Sequence, residues 1–277
     1  MQQIRNRSLS TGLAIAASLC LPLLVAAQVA PPLGVAQQFG ALGNSGVTGS
    51  TGLGTIVLGD VGSSPTAAIS NFPPSTAAPP YTVHLLNDSI VQQAHQDAIA
   101  AYNFLAAQGP GTVLADQLDA AILTSGIYSF QSGAADLAAN GTLTLNGPGI
   151  FIFQVDSALT ANTGSNVVGT ADPCSVFWRV GTSATLNGIT FRGNVIADAS
   201  ITVGSSANVT GQLLAGTGAT GAVTMAGSGG NTIGGCAGVP QIPPTVEVPT
   251  LGQAGMVVLV LMLSGAGLLV LRRRRSV

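Results

Sequence analysis

The pattern of hydrophobic and polar positions is most regular in the second half of the chain. Ile189-Thr-Phe-Arg-Gly-Asn-Val-Ile-Ala197 recurs eighteen residues later as Ala207-Asn-Val-Thr-Gly-Gln-Leu-Leu-Ala215. Phe191 matches Val209, Gly193 matches Gly211, and Val195-Ile196-Ala197 matches Leu213-Leu214-Ala215. A unit this short is too small for a helical hairpin or a propeller blade. It predicts one coil of a parallel β-solenoid, whose coils bury their apolar faces only by stacking.

From Gly126 onward the chain reads as strands and tight turns. Thr142-Leu-Thr-Leu145 alternates, as a half-buried strand does. Ile150-Phe-Ile-Phe153 and Val176-Phe-Trp178 are apolar at successive positions, the signature of strands covered on both faces. A cover is available upstream. Ser89 followed by Gln92 has capping-box spacing, and Val91, Ala94, Ala98, Ala101, Tyr102 and Leu105 fall on one helical face. The spacing predicts one long helix from Ile90 to about Gln108. It should lie along the face formed by Ile150–Phe153, Val176–Trp178, Val195–Ala197 and Leu213–Ala215. Earlier still, Thr55-Ile-Val-Leu58 reads as a strand and Asn71 to Tyr81 as a proline-rich loop.

The two ends read differently. Arg5 and Arg7, an apolar stretch from Leu13 to Val25 and then Ala26-Ala27 predict a signal peptide over residues 1–27. Cys20 falls inside it, at a poor lipoprotein site. The solenoid domain is assigned to residues 28–239 and a proline-rich linker with a sorting motif to residues 240–253. Ala254 to Leu271 is an uncharged apolar run of 18 residues followed by Arg272 to Arg275. That run is just long enough to span a bilayer, and the arginines should stay cytoplasmic on the end at residues 272–277. Val248-Pro249-Thr250-Leu251 ahead of it completes a tail resembling bacterial surface-sorting signals of the PEP-CTERM type, in the subclass whose box reads Ile-Pro-Thr-Leu. The resemblance implies an exported, surface-located protein, held at the membrane until an exosortase-type protease cuts near the box. A permanent single-pass anchor is the other reading.

Charge narrows the choice of partner. Ten acidic residues lie between Gln28 and Glu247 against only Arg179 and Arg192, a balance of −8, and the chain has no lysine. Nucleic acid and anionic membrane surfaces both call for a basic face, so neither is expected as a partner. In an exported protein Cys174 and Cys236 could form a disulfide, but spacing alone does not decide it.

Several further motifs carry a resemblance. They are Gly59-Asp-Val-Gly-Ser-Ser-Pro65, Phe72-Pro-Pro74, Gly126-Ile-Tyr-Ser-Phe130, Gly141-Thr-Leu-Thr-Leu-Asn-Gly147, Ile150-Phe-Ile-Phe-Gln154, Val176-Phe-Trp-Arg-Val-Gly181, Ser183-Ala-Thr-Leu186 and Gly193-Asn-Val-Ile-Ala197. In this order, over roughly Val35 to Gly235, they resemble the bacterial and fungal ice-binding domain of the DUF3494 type. The resemblance implies a right-handed, three-faced parallel β-helix with one long helix alongside. It also implies a function, adsorption to ice that inhibits its growth or recrystallisation.

Catalytic readings find little support in the residues. His95 lies beside the apolar stripe of the helix and reads as a surface or boundary residue rather than a base. Asp116 and Asp119 form a close carboxylate pair, the minimum for glycoside hydrolysis, but they equally suit the capping of a loop. Gly216-Thr-Gly-Ala-Thr-Gly221 has the spacing of a dinucleotide loop without the helix and distal acid that give it meaning. No metal-ligand cluster is recognisable, so no enzyme activity, cofactor or metal is expected.

What remains is threonine. Stacked strands place equivalent outward residues about 4.7–4.9 Å apart, and a threonine ladder at that spacing is flat, uncharged and rigid. Its methyls exclude water between rows while its hydroxyls hold water along them. The resemblance adds a Thr-Ala/Gly-x-Thr/Asn motif, matched by Thr48-Gly-Ser-Thr51, Thr160-Ala-Asn-Thr163, Thr163-Gly-Ser-Asn166 and Thr217-Gly-Ala-Thr220, while Thr182-Ser-Ala-Thr185 departs at its second position. The expected ice-binding face carries Thr144, Thr160, Thr185, Thr202 and Thr224 on the first strands of successive coils, with Asn162 and Thr163. The alternative is a surface structural or adhesive solenoid without ice activity. A glycan-binding face would instead expose aromatic residues.

Overall fold

The computed structural model describes residues 28–238 apart from Gly229. The expected signal peptide, sorting motif, apolar segment and arginine-rich end all lie outside the described residues. Among the described residues no helix is long and apolar enough to cross a membrane.

The chain winds into a three-sided parallel solenoid with one helix against one side. Sheet A holds, in spatial order, Asp60–Ser63, Phe39–Gly43, Leu213–Ala215, Asn194–Ala197, Val176–Val180, Phe151–Val155, Gly126–Phe130 and Thr112–Leu114. Sheet B runs Ile69–Ser70, Gly46–Thr48, Ala222–Met225, Ile201–Val203, Ala184–Leu186, Leu159–Ala161 and Ala135–Leu137. Sheet C runs Thr76–Ala77, Thr55–Leu58, Asn231–Gly234, Asn208–Thr210, Thr190–Arg192, Asn166–Gly169, Thr142–Leu145 and Ile122–Leu123. The repeat read from sequence is one coil step: Phe191 pairs with Val209, and Val195, Ile196 and Ala197 pair with Leu213, Leu214 and Ala215.

Stacking order does not follow chain order. The first strands do not start the stack; Ala41 and Leu42 pair with Leu213 and Leu214, Val47 with Val223, and Val57 with Ile233. Residues 39–77 therefore add two coils to the far, C-terminal end. The chain must then return to the other end, and the helix makes that journey. Its 18 residues, Ser89–Ala106, cover about 27 Å at 1.5 Å per residue. The eight-strand stack of sheet A is about 34 Å from first to last strand at ~4.8 Å spacing.

The helix lies where the doubly apolar strands require it. Ile152, Phe177, Ile196 and Leu214 point out of sheet A and form a second core with Val91, Ala94, Ala98, Ala101 and Leu105. The inward residues of all three sheets build the main core, in which Tyr128, Phe153 and Trp178 of sheet A stack in turn and Phe191 of sheet C packs against Trp178. Phe153 and Trp178 stack with ring centres 3.9 Å apart. The indole N–H donates to the Arg192 carbonyl at 3.0 Å, so this buried ring leaves no polar atom unmatched. Gly193 is required here, because a Cβ on it would stand 2.7 Å from the Trp178 Nε1 in a backbone conformation of φ +119°.

Three expectations change. The helix ends at Ala106, and its N-cap is Asp88 rather than Ser89. A carboxylate one residue earlier reaches the free N–H groups of Ile90 and Val91, each at 3.0 Å, while Gln92 reaches back to the Asn87 carbonyl. These amides, that of Val91 first and then the His84 ring, hold the Asp88 carboxyl below its usual range. His95 is not a surface residue: on the buried face of the helix it is 5% exposed, and burial pushes its pKa down. Thr144 belongs to sheet C, where it pairs with Ile122 and Val168. Strand alternation shows that Thr144 faces outward, but not which of three outward faces it joins.

Candidate functional site

Among the described residues the helix covers sheet A, which leaves the outer faces of sheets B and C. On sheet B one outward row is almost uniform. Thr160 pairs with Thr185, Thr185 with Thr202, Thr202 with Thr224, and Thr224 with Thr48. Five threonines thus stand in unbroken register, spanning about 19 Å at ~4.8 Å per step. All five are half-buried between their neighbours. The row is bounded by Asp136, opposite Thr160, and by Ser70, opposite Thr48.

The strands themselves explain the row. Each alternates an inward aliphatic with an outward threonine, as in Leu159-Thr160-Ala161, Ile201-Thr202-Val203 and Val223-Thr224-Met225, where the flanking residues are buried. The residues two positions before each threonine are Ala158, Ser183, Ser200, Ala222 and Gly46. Two positions after lie Ser50, Asn162, Asn187, Gly204 and Ala226, of which Ser50 is buried and the others half-buried. Small side chains on both sides leave the threonines as one low ridge on a flat surface, with no aromatic ring among these positions. A β-branched side chain is stiff about χ1, so holding it in register costs little further entropy.

The other expected residues fall around this row. Asn162 donates to the Asp136 carboxylate at 3.0 Å and to the Leu137 carbonyl at 2.8 Å, so its amide braces the end of the face. Thr163 is exposed in the corner turn between sheets B and C, and Thr51 is exposed in the corresponding turn one coil beyond Thr224. The match at Thr217 is a structural one: that side chain is 6% exposed and its hydroxyl donates to the Ala197 carbonyl at 3.2 Å. Thr48 joins the row from outside the expected set, although its motif match is visible in the sequence. Only the stacking of residues 39–77 on the C-terminal coils brings it there.

The groups considered for chemistry serve the fold. Asp116 accepts from the Ser132 N–H at 2.9 Å, which lowers its pKa, and Asp119 accepts from the Ala138 N–H at 3.1 Å. Gly216 to Gly221 forms the turn that leads from sheet A into sheet B. Cys174 and Cys236 are joined by a disulfide with Cα atoms 5.2 Å apart. Among the described residues, no three His, Cys, Asp or Glu side chains converge as a metal site.

The class is thus a three-sided parallel β-solenoid with one face covered by a helix and another carrying a threonine row in unbroken register. Its fold has close counterparts. The chain belongs to the Ice-binding-like family, whose model matches residues 41–230. It is 38% identical over 201 residues to the ice-binding protein of Nostoc sp. (strain HG1), an alignment covering 70% of this chain and 71% of that one. It is 33% identical over 224 residues to ice-binding protein 1 of Shewanella frigidimarina (strain NCIMB 400), covering 68% of this chain but 25% of that longer protein. The crystal structure of the ice-binding protein from the Antarctic ascomycete Antarctomyces psychrotrophicus superposes with a TM-score of 0.64 at 33% identity, covering 74% of this chain and 98% of the other.

Proposed function

We propose that this protein adsorbs to ice through the outer face of sheet B and thereby inhibits ice growth or recrystallisation. The observation that carries the reading is the register of Thr48, Thr224, Thr202, Thr185 and Thr160 on an uncovered face. Ice offers a repeating lattice of hydrogen-bonding sites, and a protein meets it through an ordered layer of water. Water held at fixed intervals along the row needs little reorganisation to join that lattice. A charged side chain would orient water about itself instead. Family membership supports the same reading.

The sequence of the ends supports export. In this reading residues 1–27 are removed, Ala254–Leu271 holds the chain at the membrane, and processing occurs near Val248-Pro249-Thr250-Leu251. The test of the function is thermal hysteresis and crystal shaping with the purified protein. Faceted crystals with a gap between melting and growth temperatures are expected. Round crystals with no gap, from a folded sample, would leave a structural or adhesive surface solenoid.

A further inference from the structure

Sheet C carries a second regular row, beside the corner it shares with sheet B. Thr142 pairs with Asn166, Asn166 with Thr190, Thr190 with Asn208, and Asn208 with Thr232. Threonine and asparagine alternate over five strands without a break, and every member is half-buried or exposed. The inward neighbours Leu143, Val167, Phe191, Val209 and Ile233 are buried, so the row faces out across the sheet.

The distribution of charge makes this row more than a by-product of strand composition. Exposed sheet faces ordinarily carry charged residues, which keep a protein soluble and unpaired. Among the described residues the acids sit at the ends of the stack, on the helix or its N-cap and on the two corners that flank sheet A, where Asp156, Asp198 and Asp172 lie. The corner between sheets B and C has none in residues 162–165, 187–189 or 204–207. On sheet C itself the outward cation is Arg192, in the neighbouring row. Its Nη1 donates to the carbonyls of Gly169 and Ala171, at 2.7 and 3.2 Å, so its side chain is tied to the backbone at the far edge of sheet C, away from the corner with sheet B. Sheets B and C and the corner between them thus form one continuous surface nearly free of charge.

We infer that the row Thr142–Asn166–Thr190–Asn208–Thr232 is a second ice-contacting face, so that the contact surface wraps around the corner from sheet B. The inference rests on ice binding through sheet B. Its hydroxyls and amides repeat along the stack with the same strand spacing as the first row, but their alternation doubles the chemical period. Two rows of different chemical period give the molecule two surfaces that match the ice lattice at different repeats, and so at different crystal planes.

The experiment is ice-plane affinity: the purified full chain carries a fluorescent label and is adsorbed to a single-crystal ice hemisphere. Thr190→Tyr and Asn208→Tyr place bulk on sheet C, and Thr185→Tyr places it on sheet B. Circular dichroism checks the fold of each. The sheet C variants are expected to lose one set of illuminated planes and to show at least a twofold lower hysteresis. Wild-type planes and hysteresis in both sheet C variants, with binding lost in Thr185→Tyr, would overturn the second face alone. Absence of adsorption by the wild-type chain would overturn the proposed function and this inference with it. If Thr190→Tyr does not fold, Asn208→Tyr, at an exposed position, decides the matter with the same outcomes.

Discussion

Thr185 and Thr202 stand directly opposite one another on adjacent strands of sheet B, although a full coil of chain separates them. Their separation is set by the hydrogen-bonded backbone, about 4.8 Å, rather than by the side chains. A bulky ring at either point must therefore rise above the ridge without displacing its neighbours. Thr202→Tyr or Thr160→Tyr is expected to abolish thermal hysteresis while leaving the far-ultraviolet circular dichroism and melting temperature near those of the parent. Unchanged hysteresis in both would remove the first row from the contact surface.

Asp136 limits the same row. It pairs with Thr160 and accepts a hydrogen bond from Asn162. Asp136→Thr would extend the ladder to six and remove the one charge in line with it. Asn162 keeps its bond to the Leu137 carbonyl, so the stability change should stay within about 1 kcal/mol. Hysteresis should rise at equal concentration, and a fall would show that the ladder gains nothing from this end.

His95 makes stability depend on pH. Its Nε2 accepts from the Asn44 amide at 3.3 Å and its Nδ1 has no partner. Burial lowers the folded-state pKa below the ordinary 6.5, so the unfolded chain binds a proton first as pH falls. The stability contributed by the neutral imidazole is complete above about pH 6.5 and declines below it. Urea denaturation at pH 8 and pH 5 should show the decline, and His95→Gln should flatten it. An equal decline in the variant would assign the effect to other groups.

The disulfide between Cys174 and Cys236 joins residues 62 apart. Closing a loop of that length restricts the unfolded chain by about 4 kcal/mol in the chain-entropy account. Cys174→Ser with Cys236→Ser should lower the denaturation midpoint accordingly. The threonine row lies on another face, so hysteresis measured well below the transition should persist. Loss of hysteresis in a folded double variant would tie the bond to the contact surface.

The sequence by itself determined the elements and their chemistry. Short-range alternation in Thr142–Leu145 marked a half-covered strand, and unbroken apolar runs at Phe151–Phe153 and Val176–Trp178 marked strands in need of a cover. The helical stripe from Val91 to Leu105 supplied that cover, and it docks on the strands it was matched to. These are local properties, readable because side-chain direction follows backbone period. The threonines of sheet B were legible in the same way, except for their company. Thr144 has the same alternation as Thr160 yet joins sheet C, since the period of two distinguishes inside from outside but cannot number three faces. Only the tertiary structure decided that Phe39–Gly43 lies against Leu213–Ala215, which adds Thr48 to the row and sends the helix back along sheet A. That pairing is between backbones far apart in sequence. It is fixed by burying the last coil's apolar edge, a requirement belonging to the whole stack and to no single segment.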